Sequence, residues 1–587
     1  MGLARFFPSL SPPDLFAIAF ALGITVLIAM TFRHRSAAWV IASAAYVPLP
    51  VVALFSAQYN LVGWHAFMHV SPIYQMMARG VVPPEDPVYA GGTLRYPWVE
   101  HWLIAQVSRF TGANVNLIAL CAEAVAFLVF LGAVAWLAST LTRDRVTIAL
   151  ASLISGYGIS VFHSSFFAEP LQRAFPPLWL ETRVVPVDKF VNLTAAPIGY
   201  AAMVVAAAAT VRLVCGLGSA RRLLLLIASC TLVAALIHPL SWLGVLAFAS
   251  VGGFILLVAR EGEDVRHAIM LAAAVGVPSA LCWGYLRSVG ASESSGGWMG
   301  ISTESFRIKV ADLALFLVTF AVLAYLHRAE LIRWLRSRNR AAITLLSAIG
   351  FLAVAYLFVR MPMRNEYKFL IQLVPAAAVI MAISLRRLLD TQRGFALALL
   401  FLLLLPGGRI LGQRPWFKVT DPVRMDGRYI RAVEPGADEL YEWVAAHTPQ
   451  DAVFIAPDIR IPPLGRRTLY IVVDAPWRGQ DGWGVEPMRL LQFHVRHRDS
   501  DMSRRQRLAA EVLGAGWTKP PVEIVEAIQG DVPGRPLFVH AADSAAIAKL
   551  NSTPGFSREF SNAAGSIYAV STSFRAASTS TERVVGR

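Results

Sequence analysis

"LLLLIASCTLVAALIHPLSWLGVLAFASVGGFILLVAR", residues 223–260, contains no Asp, Glu, Lys or Arg before its final residue. A helix needs about twenty apolar residues to cross the hydrocarbon of a bilayer, and this stretch is long enough for nearly two. Pro239 removes a backbone donor and clashes with the preceding turn, so one straight helix is ruled out. The segment reads as a hairpin of two spans, roughly 223–237 and 240–259, or as one kinked region.

Working outward, similar runs recur at roughly 14–32, 37–55, 115–138, 146–162, 195–214, 267–286, 309–326, 341–359, 369–385 and 394–411, about twelve spans in all. Of 587 residues, 56% are hydrophobic and only 16% charged, where a soluble domain carries about a quarter. With a mean hydropathy of +0.54, the fold class is a polytopic α-helical membrane protein.

Orientation follows from basic residues in short loops. Arg33 and Arg35 follow the first span, Arg143 and Arg145 the third, and Arg212, Arg221 and Arg222 the fifth. Arg260 and Arg266 follow the seventh, "HRAELIRWLRSRNR" the ninth and "RRLLDTQR" the eleventh. Every second connection is basic, which sets those on the cytoplasmic side of an inner membrane. The N-terminus and everything after residue 412 then fall outside. A cleaved signal peptide is not expected, because the basic cluster comes after the first apolar run rather than before it. The net charge of +15 is positive-inside bias plus a basic outer domain, and does not point to nucleic acid. Arg outnumbers Lys, as in GC-rich bacterial genomes. Cys121, Cys215, Cys230 and Cys282 all lie in or beside spans, so neither a disulfide framework nor a cysteine metal site is expected.

The chain divides into a transmembrane domain, about 1–411, an α/β domain, about 412–570, and a disordered tail, about 571–587. Two outer connections are long, about 56–114 and 163–194, and "GASESSGGWMGISTESF" reads as a mobile third. "LVGWHAFMHVSPIYQMMARG" has the mixed texture of an amphipathic helix on the outer face. In the α/β domain "ADELYEWVAAH" is helical, while "AVFIA", "TLYIVV", "VEIVEAI", "PLFVHA" and "SIYAV" read as strands. No internal repeat is evident, which weakens a transporter built from inverted repeats.

Ionisable residues collect on the outer side: His65, His69, Glu85, Asp86, Glu100, His101, His163, Glu169, Glu181, Arg183, Asp188, Lys189, His238, Arg364, Glu366 and Lys368. Charges at a membrane boundary need partners or water, so the cluster implies a polar cavity opening outward. Each piece also has a plainer reading. "PPEDP" can be a rigid turn with Glu85 and Asp86 solvated, and His65 and His69 can be a wet helix stripe rather than metal ligands. Arg364 and Lys368 can snorkel or hold a ligand phosphate. Asp188 and Lys189 can pair with each other or with substrate. No charged pair is read in mid-span.

Residues 63–112, "GWHAFMHVSPIYQMMARGVVPPEDPVYAGGTLRYPWVEHWLIAQVSRFTG", resemble the first outer loop of bacterial GT-C-type glycosyltransferase-like membrane proteins. That loop runs Asp-x-x-x-His, then G-x-x-P-P-x-D-P, then a Gly, a Tyr and a His. "RNEYKF" and "LYEWVAAHTPQDAVFIAP" are similar to later segments of the same group, as is an outer α/β domain after the last span. The resemblance implies transfer of a sugar from a polyprenyl-phosphate-linked donor to an envelope glycan, lipid or protein acceptor at the outer membrane face. It implies a carboxylate acting on the acceptor hydroxyl, here Asp86 with Glu85 beside it. It also implies cations at the leaving phosphate, here Arg364 and Lys368, or a divalent metal. His65, His69, Tyr96, His101, Asp188, Lys189, Glu366 and Tyr367 are the expected substrate contacts. The chain departs from the pattern at His65, where the group carries its first acid. Two other readings stand beside this one: an acyl- or phospho-group transferase with a histidine base, and a non-enzymatic envelope-assembly or transport component.

Overall fold

A computed structural model of the chain describes residues 12–32, 34, 36–52, 64–158, 160–162, 171, 184–190, 194–259, 262–290, 300–303, 305–361, 365–417, 423–426, 429–432, 436–457, 459–473 and 499–571. The chain forms two compact units, Met1–Gln58 with Leu120–Leu286 and Met299–Val419, and Tyr59–Ala119 with Arg287–Trp298 and Thr420–Arg587. The second unit is therefore discontinuous in sequence. It joins the opening loop segment to the C-terminal α/β region.

The first unit is a multi-pass membrane domain. Among the described residues, ten helices are long and apolar enough to cross a bilayer. The second and fourth expected spans are shorter apolar helices, Ala37–Val52 and Arg145–Tyr157. The opening stretch resolves into two helices, Ala220–Ile237 and Pro239–Ala259, divided at His238. Helices Ala196–Val214 and Tyr367–Thr391 are almost wholly buried. Leu22, Val125, Phe254, Leu281 and Phe351 on other helices are exposed apolar side chains, as lipid contact requires.

Helix ends are tied by charge. Asp144 caps helix Arg145–Tyr157 by accepting from Val146 and Thr147 N–H groups and meets Arg386 at 3.1 Å. Arg340 donates to both oxygens of Asp264 at 3.0 and 2.9 Å, the fork geometry that suits a carboxylate. Asp14, at the start of helix Pro12–Thr31, pairs with Arg409 at 2.8 Å, and Arg393 donates to Ala29 O. The first and last membrane helices therefore run antiparallel, as the alternation of basic loops requires. A two-residue β1 (Gly300–Ile301) pairs antiparallel with β2 (Val359–Arg360). Residues 291–299 and 304 of the expected mobile connection, and the tail beyond 571, lie outside the described residues.

The second unit is a mixed α/β fold. β3 (Val423–Asp426) and β4 (Tyr429–Ala432) form a hairpin. β5 (Val453–Ile455), β6 (Thr468–Leu469), β7 (Leu537–Ala541), β8 (Phe556–Asn562) and β9 (Gly565–Val570) form one sheet in the order β6-β5-β7-β9-β8. "VEIVEAI", expected as a strand, is instead helix Pro521–Asp531. Its buried residues are Ile524, Val525 and Ile528, a spacing that faces one side only in a helix. Pro521 supplies a preset first turn. β8, not expected, is an edge strand whose Arg558 and Glu559 point to solvent, the pattern that blunts edge pairing.

The loop after helix Trp64–Arg79 is built into this unit. Ala90 N donates to Leu469 O at 2.9 Å, and Leu469 N to Pro87 O at 2.9 Å. Tyr89 bridges Ile471. Glu85 sits at the junction: it accepts from Arg79 at 2.5 Å, Gly91 N at 2.6 Å and Thr468 Oγ1 at 3.1 Å, and pairs with Arg535. Burial pushes its carboxyl up, but the Arg535 charge, the Gly91 N–H and Arg79 more than offset this and leave it below the usual range.

Two outcomes follow from this packing. A Cβ at Gly158 would lie 1.6 Å from Leu403 O, whereas nothing lies within 4 Å of one at Gly350. Gly158→Ala therefore destabilises by about 1–3 kcal/mol or more, and Gly350→Ala is neutral or stabilising by up to about 1 kcal/mol; thermal unfolding in detergent checks both. Glu85→Gln strips two arginines of their partner and costs about 2 kcal/mol at pH 7. A carboxyl held low stabilises above its unfolded pKa and loses that contribution as pH falls through the folded value. The gap between Glu85→Gln and wild type therefore narrows on acidification below about pH 4.

Candidate functional site

In the membrane unit, four segments bring ionisable groups together. Pro186 starts the single turn Pro186–Lys189, and buried Val184, Val185, Val187 and Phe190 fix it. The turn presents Asp188 and Lys189, which pair at 2.9 Å. Lys189 Nζ also lies 5.0 Å from the Tyr367 ring centre, a cation–π distance. Lys368, next along the helix, is within electrostatic reach of Lys189 and of His238. It makes no ion pair among the described residues. Two lysine side chains are thus held near one another, with Asp188 as the carboxylate paired to the first.

His238 is placed by the helix break. Its Nδ1 is 2.7 Å from Ser241 Oγ, and its ring lies 5.4 Å from that of Tyr200. Gly199 permits this approach, since a Cβ there would fall 2.4 Å from His238 Cβ. Gln372 Nε2 donates to Leu240 O at 2.6 Å, fastening helix Tyr367–Thr391 to the start of helix Pro239–Ala259. Two buried polar atoms here, Tyr200 Oη and Gln372 Oε1, have no hydrogen-bond partner among the described residues. Buried polar groups are almost always paired, so these two atoms stand out.

A charged pair that the sequence reading missed lies in the same unit. Lys309, on the first turn of helix Phe306–Leu326, meets Glu366 at 3.1 Å with both side chains under a tenth exposed. Lys309 also donates to Val359 O at 2.9 Å, and Tyr356 Oη to Asp312 at 2.6 Å. Glu366 is thus engaged in holding the segment that precedes Tyr367. Lys309 and Asp312 in an otherwise apolar run were the available signal, since ionisable residues inside a span are seldom idle. Arg364 lies outside the described residues, as do His163, Glu169, Glu181 and Arg183.

The remaining expected residues fall in the second unit. Asp86 is 0% exposed. Its Oδ1 accepts from Val88 N at 2.9 Å, its own N–H donates to Gly92 O at 2.7 Å, and Oδ2 has no partner among the described residues. Burial first, with a smaller push from the Glu85 charge, raises its carboxyl to about 7. Asp86 is thus fully buried and shapes the turn through its contacts with Val88 and Gly92. His69 Nδ1 and His101 Nε2 are 2.8 Å apart, one donating to the other, with Tyr96 edge-on to both rings at 5.5 and 5.9 Å. That is too close for two ligands of one zinc ion, whose bonds of about 2.0 Å splay the nitrogens further. Burial pulls His101 down to about 4, so its ring is neutral at pH 7. His65 lies on the same helix, and its side chain lies outside the described residues. Among the described residues, no three His, Cys, Asp or Glu side chains are placed to hold a metal ion.

No protein-family description matches the chain, and no curated protein matches it. Among solved structures, the chain is similar to ArnT from Cupriavidus metallidurans bound to undecaprenyl phosphate. Identity is 14%, the TM-score is 0.52, and the match covers 92% of this chain and 99% of that one. The apo structure of the same protein matches at 15% identity over 89% of this chain and 96% of that one, with a TM-score of 0.49. The chain therefore shares its fold with ArnT, the GT-C-like architecture that the sequence resemblance implied.

Proposed function

We propose that this chain is a membrane glycosyltransferase that takes a sugar from a polyprenyl-phosphate-linked donor and passes it to an acceptor at the outer face of the cytoplasmic membrane. In this reading the second unit is extracytoplasmic. The observation that carries the proposal is the pair Lys189 and Lys368, set beside a buried orphan hydroxyl on Tyr200 within a membrane domain. Asp188 already answers Lys189, and Lys368 has no ion pair among the described residues, so an anion beside Lys368 is stabilised there. A lipid phosphate is the anion that membrane helices meet. ArnT, whose fold this is, was crystallised with undecaprenyl phosphate.

The chemistry follows from those positions. An acceptor hydroxyl attacks the anomeric carbon, and the bond to the donor phosphate breaks with its electrons leaving on the phosphate. Lys189 and Lys368 meet the growing negative charge, a stabilisation worth about 10²–10³ in rate per donor in comparable sites. Asp188, held against Lys189, takes the acceptor's proton. Tyr367 orients Lys189 through its ring, and Glu366 holds the same segment through Lys309. Asp86 and Glu85 brace the loop in this reading, and Tyr96 with the His69–His101 pair packs behind it.

Lys368→Gln lowers kcat/KM for a polyprenyl-phosphate donor by about 10²-fold or more and reduces lipid-phosphate retention on purification. Full transfer activity in that variant sinks the proposal. Asp86→Asn separates the two parts assigned to Asp86. Because burial raises its folded pKa to about 7, folding favours the protonated form. That stabilisation is complete at acid pH and is lost as pH rises from about 4 to about 7. The unfolding midpoint of Asp86→Asn therefore gains on wild type from pH 5 to pH 8, with transfer activity retained. Loss of transfer with an unchanged pH profile of stability would make Asp86 the base instead.

A further inference from the structure

A cavity of about 370 Å³ in the second unit is lined by Arg109, Arg466 and Arg467, with Gln450 and Tyr74 among its other walls and no carboxylate among its lining residues. Its arginines come from separate places. Arg109 is exposed on the last turn of helix Val99–Thr111. Arg466 and Arg467 follow the tight turn Ile461–Gly465. Gly465 lets that turn reach helix Ala437–His447, since a Cβ there would lie 2.8 Å from Val444 Cγ1.

Arg467 is buried and donates only to neutral acceptors: Thr448 Oγ1 at 2.9 Å, Arg466 O at 3.1 Å, Ala445 O at 2.8 Å and Thr448 O at 2.5 Å. These contacts cap the negative end of helix Ala437–His447. They leave its full charge without an ion pair among the described residues. Burial, then the neighbouring Arg466 charge, pulls this guanidinium down to about 10. Arg466 has φ +57°, a left-handed backbone that side chains other than glycine seldom adopt. Such conformations persist where the surroundings fix them, often at ligand clamps. Its one described ion pair is to Glu442 at 3.2 Å. Glu442 pairs with Arg466 and the Asp451 charge acts on Arg467, but neither carboxylate lines the cavity, whose charged lining residues are the three arginines.

We propose that this pocket binds the phosphate or carboxylate group of a sugar-sized ligand. Guanidinium forks match both anions bidentately, and the volume suits a ligand of that size. The anion can come from a soluble sugar phosphate or from a lipid headgroup.

The test uses the full chain in detergent, titrated calorimetrically with inorganic phosphate, glucose 6-phosphate and glucose. Both phosphates are expected to bind and glucose is not. Affinity is expected to fall at least about tenfold in Arg109→Gln and in Arg466→Gln, and to weaken with added salt. Arg109 is exposed, so its variant folds even where Arg466→Gln does not. Repeating the titration in nanodiscs with phosphatidylglycerol separates the sources. Competition by that lipid, lost in Arg109→Gln, supports a headgroup ligand, and its absence supports a soluble one. Failure of both phosphates to bind wild type, or undiminished binding in Arg109→Gln, overturns the assignment.

Discussion

Taking an ionised side chain out of water costs several kcal/mol unless a counter-charge or dense hydrogen bonding replaces the solvent, and the two units of this chain answer that demand differently. In the second unit Glu85 is enclosed by two arginines, a backbone N–H and a threonine hydroxyl. In the membrane unit Lys309 and Glu366 satisfy one another, and Asp264 satisfies Arg340. Lys368 and Arg467 differ from these, since neither has an ion pair among the described residues, and the two proposals rest beside them. The fold and the function proposed for it thus answer to the same electrostatic requirement.

Much of the membrane architecture could be read directly from the chain. Long apolar runs separated by basic turns have one physical meaning, and the ten spanning helices with two shorter ones fall where hydropathy places them. The break at Pro239 was visible too, though only the structure separates a hairpin from a kink. Misreadings arose where local pattern is ambiguous. "VEIVEAI" alternates over its first residues like a strand, but Ile524, Val525 and Ile528 turn inward together only on a helix. β8 carries Arg558 and Glu559 in its exposed middle, so it lacks the apolar rhythm by which strands are recognised.

The candidate site was legible in part. Asp188, Lys189, Glu366, Tyr367 and Lys368 were singled out as charged or aromatic residues at helix ends, and the first three are indeed engaged with close neighbours. Partners were not legible. His69 and His65 share a helix face in sequence, yet His69 bonds to His101 across the loop. Nothing in the spacing of "PPEDP" announces that its glutamate is matched to Arg535. A motif can mark where polar groups gather; it does not say which of them face a substrate and which hold the backbone.

The second unit's discontinuity sets an order of events during synthesis. Glu85 and Arg535 are 450 residues apart. At translation rates of about 5–20 residues per second, the acidic loop waits roughly 20–90 s for its arginine. Throughout that interval the membrane helices between them are being inserted, while the loop and helix Trp64–Arg79 lack the sheet that later covers them. The nascent chain thus carries an unfinished half-domain across most of its own biogenesis. The last strands to emerge close a structure begun near the start.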